Sequence, residues 1–428
     1  MILIKNGRVM DPKTGFDQVT DLVIDDGKIC CIGKTESEQC CCGATYDRII
    51  DAEGKVVAPG LIDVHIHFRD PGVTHKEDII TGANAAKRGG YTTVVLMANT
   101  KPVVDNEETL QYVLEKGKNT GINVLQDCCI TKGMAGEELV DMKALREAGA
   151  AGFTDDGLPI MDTKLTREAM KMAKELGVVL SFHEEDPALI DKAGVNKGKV
   201  SEELGFPGAS RAAEDVMVAR DCMLALETGA RVNIQHISSA VAVEQVRLAK
   251  KLGGDVWAEA SPHHFTLTEE AVKLYGVNAK MNPPLRTEAD RQAIIEALKD
   301  DTIEIIATDH APHTEEEKGV GLLNAPSGII GLETALALGI TSLVKEGHLT
   351  MIHLLDKLTY KPALMYGLDS GYLTEGAAAD LVIFDPEELW TVTDDFASKG
   401  KNSPFIGWEL QGKVKYTICG GNVVFEDK

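Results

Sequence analysis

The residues best suited to chemistry in this chain are histidines and aspartates that recur at the ends of apolar runs. The run Leu61-His67 closes on His65-Ile66-His67, and a strand period of two puts both imidazoles on one face. Ala150-Asp156 closes on Thr154-Asp155-Asp156-Gly157. Val178-Glu184 carries His183, Arg231-Ile237 carries His236, and Ile303-Asp309 closes on Thr308-Asp309-His310. Singly, each has an ordinary explanation. A strand histidine is commonly a hydrogen-bonded core residue, and an aspartate before glycine commonly forms a turn. Together they would make a costly polar cluster with no cation to satisfy it. Imidazole and carboxylate suit zinc, and an open zinc site can activate water. The set predicts a metal centre.

Competing chemistries leave no trace. There is no G-x-S-x-G nucleophile elbow, no phosphate-binding P-loop and no dinucleotide fingerprint after a strand. His263-His264 follow the seventh run and could line a pocket or serve packing, whereas His75, His348 and His353 read as surface or packing residues. The cysteines number nine, several of them adjacent, and none forms a repeated C-x-x-C zinc pattern. They read as reduced thiols, with a soft-metal or redox role for Cys40-Cys41-Cys42 as the weaker alternative.

What must position the cluster is a regular alternation of elements. Eight short apolar runs, the five above together with Thr92-Asn99, Asn123-Ile130 and Asp255-Ala260, are separated by amphipathic stretches. The stretches include Glu77-Arg88, Glu137-Ala148, Thr166-Leu176, Ala213-Thr228, Ala242-Leu252 and Ala289-Leu298, and a last one near Gly331-Leu343. This alternation predicts an α/β fold, a (β/α)8 TIM barrel whose site lies where strands end and loops begin. The loops Asp186-Arg211 and His310-Ser327 read as insertions. The termini differ from this middle. Ile2-Ile4, Asp21-Ile24, Lys28-Ile32, Asp380-Phe384, Lys413-Cys419 and Asn422-Phe425 read as strands, with hairpin signals at Asn6-Gly7, Asp25-Asp26-Gly27 and Gly420-Gly421. Residues 1–59 and 366–428 are therefore expected to form one small β-sandwich, and residues 60–365 the barrel.

The 428 residues carry a net charge of −23, which gives no electrostatic footprint for nucleic acid or an anionic membrane. No apolar run approaches the roughly 18 residues of a spanning helix, and no signal peptide is evident at the start. A cytoplasmic protein is the expectation. An acidic chain acting on an anion would need a local reversal of sign.

The strand-end pattern resembles the amidohydrolase superfamily. More narrowly, Asp63-Val64-His65-Ile66-His67-Phe68-Arg69-Asp70-Pro71-Gly72 and Ala307-Thr308-Asp309-His310-Ala311-Pro312-His313 resemble the dihydroorotase signatures. Met97-Ala98-Asn99-Thr100-Lys101-Pro102, Asn282-Pro283-Pro284-Leu285-Arg286 and Gly328-Ile329-Ile330-Gly331-Leu332-Glu333-Thr334 extend the resemblance over the whole chain. It implies reversible cyclisation of N-carbamoyl-L-aspartate to L-dihydroorotate in pyrimidine biosynthesis. It also implies one or two zinc ions on His65, His67, Asp156, His183, His236 and Asp309, with Asp309 also moving the proton. Substrate would meet Arg69, Asn99, Asn282, His313 and the backbone around Ser327 and Gly328. Many amidohydrolases bridge two metals with a carbamylated lysine on strand four, but Ala150-Gly157 contains no lysine. The chain resembles the branch with aspartate there, and motif position favours Asp156 over Asp155. Ala98, Glu184 and Ser327 depart from the common residues at positions expected to line the pocket. A homodimer is the expected assembly, with aspartate carbamoyltransferase a candidate partner. The rival readings are another cyclic-amide hydrolase, a hydantoinase or allantoinase, and a non-catalytic scaffold.

Overall fold

The computed structural model describes residues 1–34, 45–190 and 194–427. The Cys40-Cys41-Cys42 run lies outside the described residues. Five strands precede the barrel: β1 (Ile2–Asp11), β2 (Phe16–Asp25), β3 (Lys28–Ile32), β4 (Arg48–Asp51) and β5 (Val56–Pro59). Asp26 and Gly27, both at positive φ, make the tight β2–β3 turn that their residue types require. Asn6-Gly7 does not turn the chain. Asn6 takes a left-handed φ of 61° inside β1, where the β1–β2 register shifts between Ile4 and Gly7. Asparagine tolerates that conformation, so the residues expected to reverse the chain instead form a bulge. Before the shift β1 pairs with β4, and after it with β5.

The barrel strands follow: β6 (Leu61–Ile66), β7 (Tyr91–Leu96), β8 (Asn123–Gln126), β9 (Phe153–Thr154), β10 (Leu180–Phe182), β11 (Val232–Ile234), β12 (Val256–Ala260) and β13 (Ile305–Ile306). They pair in parallel as β6-β7-β8 and β9-β10-β11-β12-β13. Single parallel bridges, Cys128 with Phe153 and Ile66 with His310, join the two runs into a closed barrel. Asp63 strengthens that last seam by accepting the Thr308 N–H at 3.2 Å. Every residue of β6 and β7 is buried, as parallel strands covered on both faces must be.

All eight expected barrel strands are present, each shorter than its apolar run, and in β9, β10, β11 and β13 the ladder ends before the polar residues that close the run. Several helices begin where side chains cap them. Asp78 accepts the Ile80 and Thr81 N–H groups, so the first helix starts at Ile79 (Ile79–Arg88) and not at Glu77. Asp141 likewise caps Met142–Ala148, while Glu138 and Leu139 are held by main-chain contacts to Lys132 and Thr131. The stretch near Gly331-Leu343 divides into Ala335–Gly339 and a π-helical turn, Ile340–Val344.

The chain ends in β14 (Leu381–Thr391), β15 (Glu409–Cys419) and β16 (Asn422–Glu426). β14 pairs antiparallel with β5, so strands from both ends share one sheet in the order β16-β15-β14-β5-β1-β2-β3. Ile4, Val9, Leu22, Ile24, Val57, Leu381, Ile383 and Ile418 pack as its core, completing a small β-sandwich beside the barrel. Among the described residues, no helix is long and apolar enough to cross a membrane.

Candidate active site

The polar residues that close the apolar runs converge at one mouth of the barrel. His65 lies in β6, and His67 directly follows it; Asp156 lies just beyond β9, His183 beyond β10, His236 beyond β11 and Asp309 beyond β13. All six are buried. Two trios have ligand atoms within 4.8 Å of one another: His65, His67 and Asp156, and Asp156, His183 and His236. Asp156 belongs to both. Asp309 stands beside the first trio, with its Oδ1 3.1 Å from His67 Nε2 and 3.6 Å from His65 Nε2. His236 and Asp309 hold left-handed φ values of 33° and 49°, a conformation disfavoured for these residues that turns the chain out of the strand at each position.

The donor set fits a divalent cation. His65 Nε2 is buried with no hydrogen-bond partner, though it lies 3.4 Å from Asp156 Oδ1. His183 Nδ1 and His236 Nε2 lie 3.7 and 4.0 Å from that same oxygen. Such separations are long for hydrogen bonds and natural for ligands that share a centre. Burial opposes charge on His65, yet Glu259 and Asp156 raise its pKa well above the usual histidine value. Burial likewise works against His183, which Asp156 and Glu185 raise to about 10. Burial and the neighbouring charges of His183 and His65 push His236 well below the ordinary value. The buried carboxylates demand positive charge, and crowded imidazoles can supply it only against one another.

Outer partners fix how the imidazoles present their nitrogens. Glu259 on β12 lies 2.5 Å from His65 Nδ1, leaving Nε2 to face the cluster, and Asn233 braces Glu259 at 3.0 Å. Glu185 meets His183 Nε2 at 3.2 Å, leaving Nδ1 inward. Asn99 Oδ1 meets His67 Nδ1 at 2.9 Å, and its amide donates to Asp156 Oδ2 at 3.1 Å. Orientation of this kind tunes metal ligands. Glu259 and Glu185 did not figure among the expected site residues. The signal for Glu259 was a carboxylate flanked by alanines inside the apolar run Asp255-Ala260. Asp155 faces elsewhere: it accepts the Ile130 N–H at 2.8 Å and the Thr131 hydroxyl, and burial raises its pKa to about 6.

A cavity of about 230 Å3 opens over the cluster, lined by His67, Asn99, Asp156, His183, His236 and Asp309. The same cavity is lined by Arg69, Asn282, His313, Ser327 and Gly328, so every residue expected to meet substrate borders it. Arg69 does not arrive by strand periodicity, since β6 has ended; its φ of 57° turns it inward. Burial lowers its pKa, and its Nε has no partner. Asn282 Oδ1 accepts the Ser327 hydroxyl at 3.0 Å, which directs its amide nitrogen away from Ser327. His313 is bonded at both ring nitrogens, Nε2 to the Ser327 carbonyl at 2.9 Å and Nδ1 to Lys76 at 3.3 Å. Burial, with Arg69, Lys76 and Lys318 nearby, lowers its pKa to about 2. The positive wall therefore rests on Arg69 and not on His313. Gly328 donates its N–H to the Lys280 carbonyl at 2.9 Å.

Other residues drawn from the sequence have structural duties. His264 Nε2 bonds the Pro283 carbonyl at 3.0 Å, and buried His263 stays beside it, away from the cavity. His310 Nδ1 accepts the Gly331 N–H. Glu184 does not line the cavity over the cluster; it is buried beside Asp221, which Arg220 holds at 2.7 Å.

Residues 54–242 match the model of a protein family described as dihydro-orotase-like. A dihydroorotase of Clostridioides difficile is 64% identical over 99% of this chain and 100% of its own length. One from Clostridium acetobutylicum is 57% identical over the full length of both. Among solved structures, an L-hydantoinase from Arthrobacter aurescens superposes with a TM-score of 0.87 at 26% identity, covering 99% of this chain and 96% of its own. A D-hydantoinase from Thermus gives 0.85 at 26%, over 100% and 96%.

Proposed function

Because the chain belongs to the dihydroorotase family, we propose that it interconverts N-carbamoyl-L-aspartate and L-dihydroorotate, closing the ring with release of water, in pyrimidine biosynthesis. The observation that carries this reading is one cavity lined both by a cluster of metal-binding type and by Arg69, whose buried Nε has no partner. A substrate carboxylate fits that arginine, whose planar fork can bind it through two parallel hydrogen bonds. Hydantoin and allantoin bring no carboxylate to meet it. The scaffold reading leaves the full ligand set without a purpose.

His65, His67, Asp156, His183 and His236 would hold zinc, with Asp309 adjoining, and the two trios that share Asp156 support two ions. Zinc there would polarise the amide carbonyl and lower the pKa of water to about 7. In the hydrolytic direction Asp309 takes the proton of the attacking water and delivers it to the departing ring nitrogen. Arg69 and the Asn282 amide hold the carboxylate end. Asn99 keeps His67 and Asp156 in place. Cyclisation is the reverse and consumes a proton, so acid favours ring closure.

A cytoplasmic setting belongs to this reading and is supported by the buried thiols of Cys128, Cys129 and Cys222. The homodimer and the association with aspartate carbamoyltransferase rest on family resemblance alone. Parallel assays on dihydroorotate, hydantoin and allantoin test the substrate. Dihydroorotate should be turned over at least about a hundredfold faster, given how strongly a site built for a charged group rejects analogues without it. Preference for hydantoin would overturn the reading.

A further inference from the structure

Behind the stretch of cavity lining formed by Ala311, His313, Ser327 and Gly328 lies Asn402, on the segment between β14 and β15 and outside the barrel strands. It is buried, yet it does not border the cavity over the cluster. Its side chain makes three hydrogen bonds to that wall. Nδ2 donates to the Ala311 carbonyl and to the Gly328 carbonyl, each at 3.0 Å, and Oδ1 accepts the His313 N–H at 3.1 Å. Its own carbonyl accepts the Ile330 N–H at 3.1 Å. Lys318 supports the same wall, donating to the Pro326 and Gly328 carbonyls at 3.0 Å.

These contacts leave 326–328 fastened at each carbonyl, since His313 Nε2 meets the remaining one, of Ser327. Gly328 gives its N–H to Lys280, and Pro326 has none to give. Among the described residues, the Ser327 N–H has no partner. Ser327 borders the cavity together with Arg69 and Asn282. The packing allows little drift. A Cβ on Gly328, at φ 121°, would lie 2.7 Å from that of Ala311, and one on Gly400 would lie 2.8 Å from Pro312.

We propose that Asn402 is a positioning residue for the carboxylate end of the substrate, fixing from behind the Ala311–His313 and Ser327–Gly328 backbone that faces it. The proposal rests on the substrate reading above and adds that a segment outside the barrel strands sets substrate affinity. Misplacing such a wall weakens binding without touching the metal or the Asp309 carboxylate.

Steady-state kinetics of Asn402→Ala and Asn402→Asp, with metal content and Tm measured on the same preparations, test it. Asn402→Ala should raise KM for dihydroorotate about tenfold while kcat and metal content stay near those of the parent. Asn402→Asp keeps the acceptor for His313 but presents oxygen to two carbonyls, so its KM should rise at least as far. A purely structural role would lower Tm and leave KM unchanged, and that result overturns the proposal. If neither variant folds, Lys318→Met is measured, because it withdraws the other donor to Gly328; an unchanged KM there has the same force. Dihydroorotate turnover by the parent tests the substrate reading separately, so failure of one is distinguishable from failure of the other.

Discussion

The two walls of the cavity are built by different means. The metal-facing wall is made of side chains at the ends of β6, β9, β10, β11 and β13, and its supports, Glu259 and Glu185, lie on or just beyond barrel strands too. The other side sets Arg69 and Asn282 beside the loop backbone of Ser327 and Gly328, which Asn402 and Lys318 hold from behind. The difference assigns a task to each. Charge develops at the metal side during the reaction, and preorganised groups on a rigid frame stabilise it best. In the proposed reaction Arg69 and Asn282 instead meet a charge already present in the substrate, so their quality should appear in affinity.

Substitutions that separate kcat from KM would break this division if it is wrong. The largest effect should come from Asp309→Asn. The amide cannot take up the water proton, and kcat should fall about 10^2- to 10^4-fold. Metal content should persist, because neither ligand trio includes Asp309. Near-native turnover with metal bound would remove Asp309 from the proton path. A smaller effect is expected at the other wall. Arg69→Lys keeps the charge but loses the fork, so KM should rise about tenfold with kcat little changed. An unchanged KM would place the carboxylate elsewhere.

The same contrast explains what could be read from residue order. The metal wall was legible because its ligands sit beside apolar runs of strand length, and the barrel brings successive run ends together; His65, His67, His183, His236 and Asp309 could be placed by that rule alone. Between Asp155 and Asp156 residue order left the choice open, with motif position favouring Asp156, and the geometry shows what occupies Asp155, the N–H groups of Ile130 and Thr131. Arg69 borders the cavity as expected but arrives through a left-handed turn that strand periodicity does not describe. Asn402 left no signal. Its partners are main-chain groups dozens of positions away, and a side chain bonded to backbone imposes no residue type on them. Asn6-Gly7 shows the converse, a strong local turn signal overridden because β1 needed a bulge to pair with β4 and then β5.

Zinc titration of metal-stripped protein, following bound metal by elemental analysis and dihydroorotate turnover in the same samples, tests the central claim most directly. Turnover should be absent from the stripped protein, return with bound zinc, and be complete at two ions per chain, one for each trio sharing Asp156. Full turnover by protein shown to contain no metal would contradict the account.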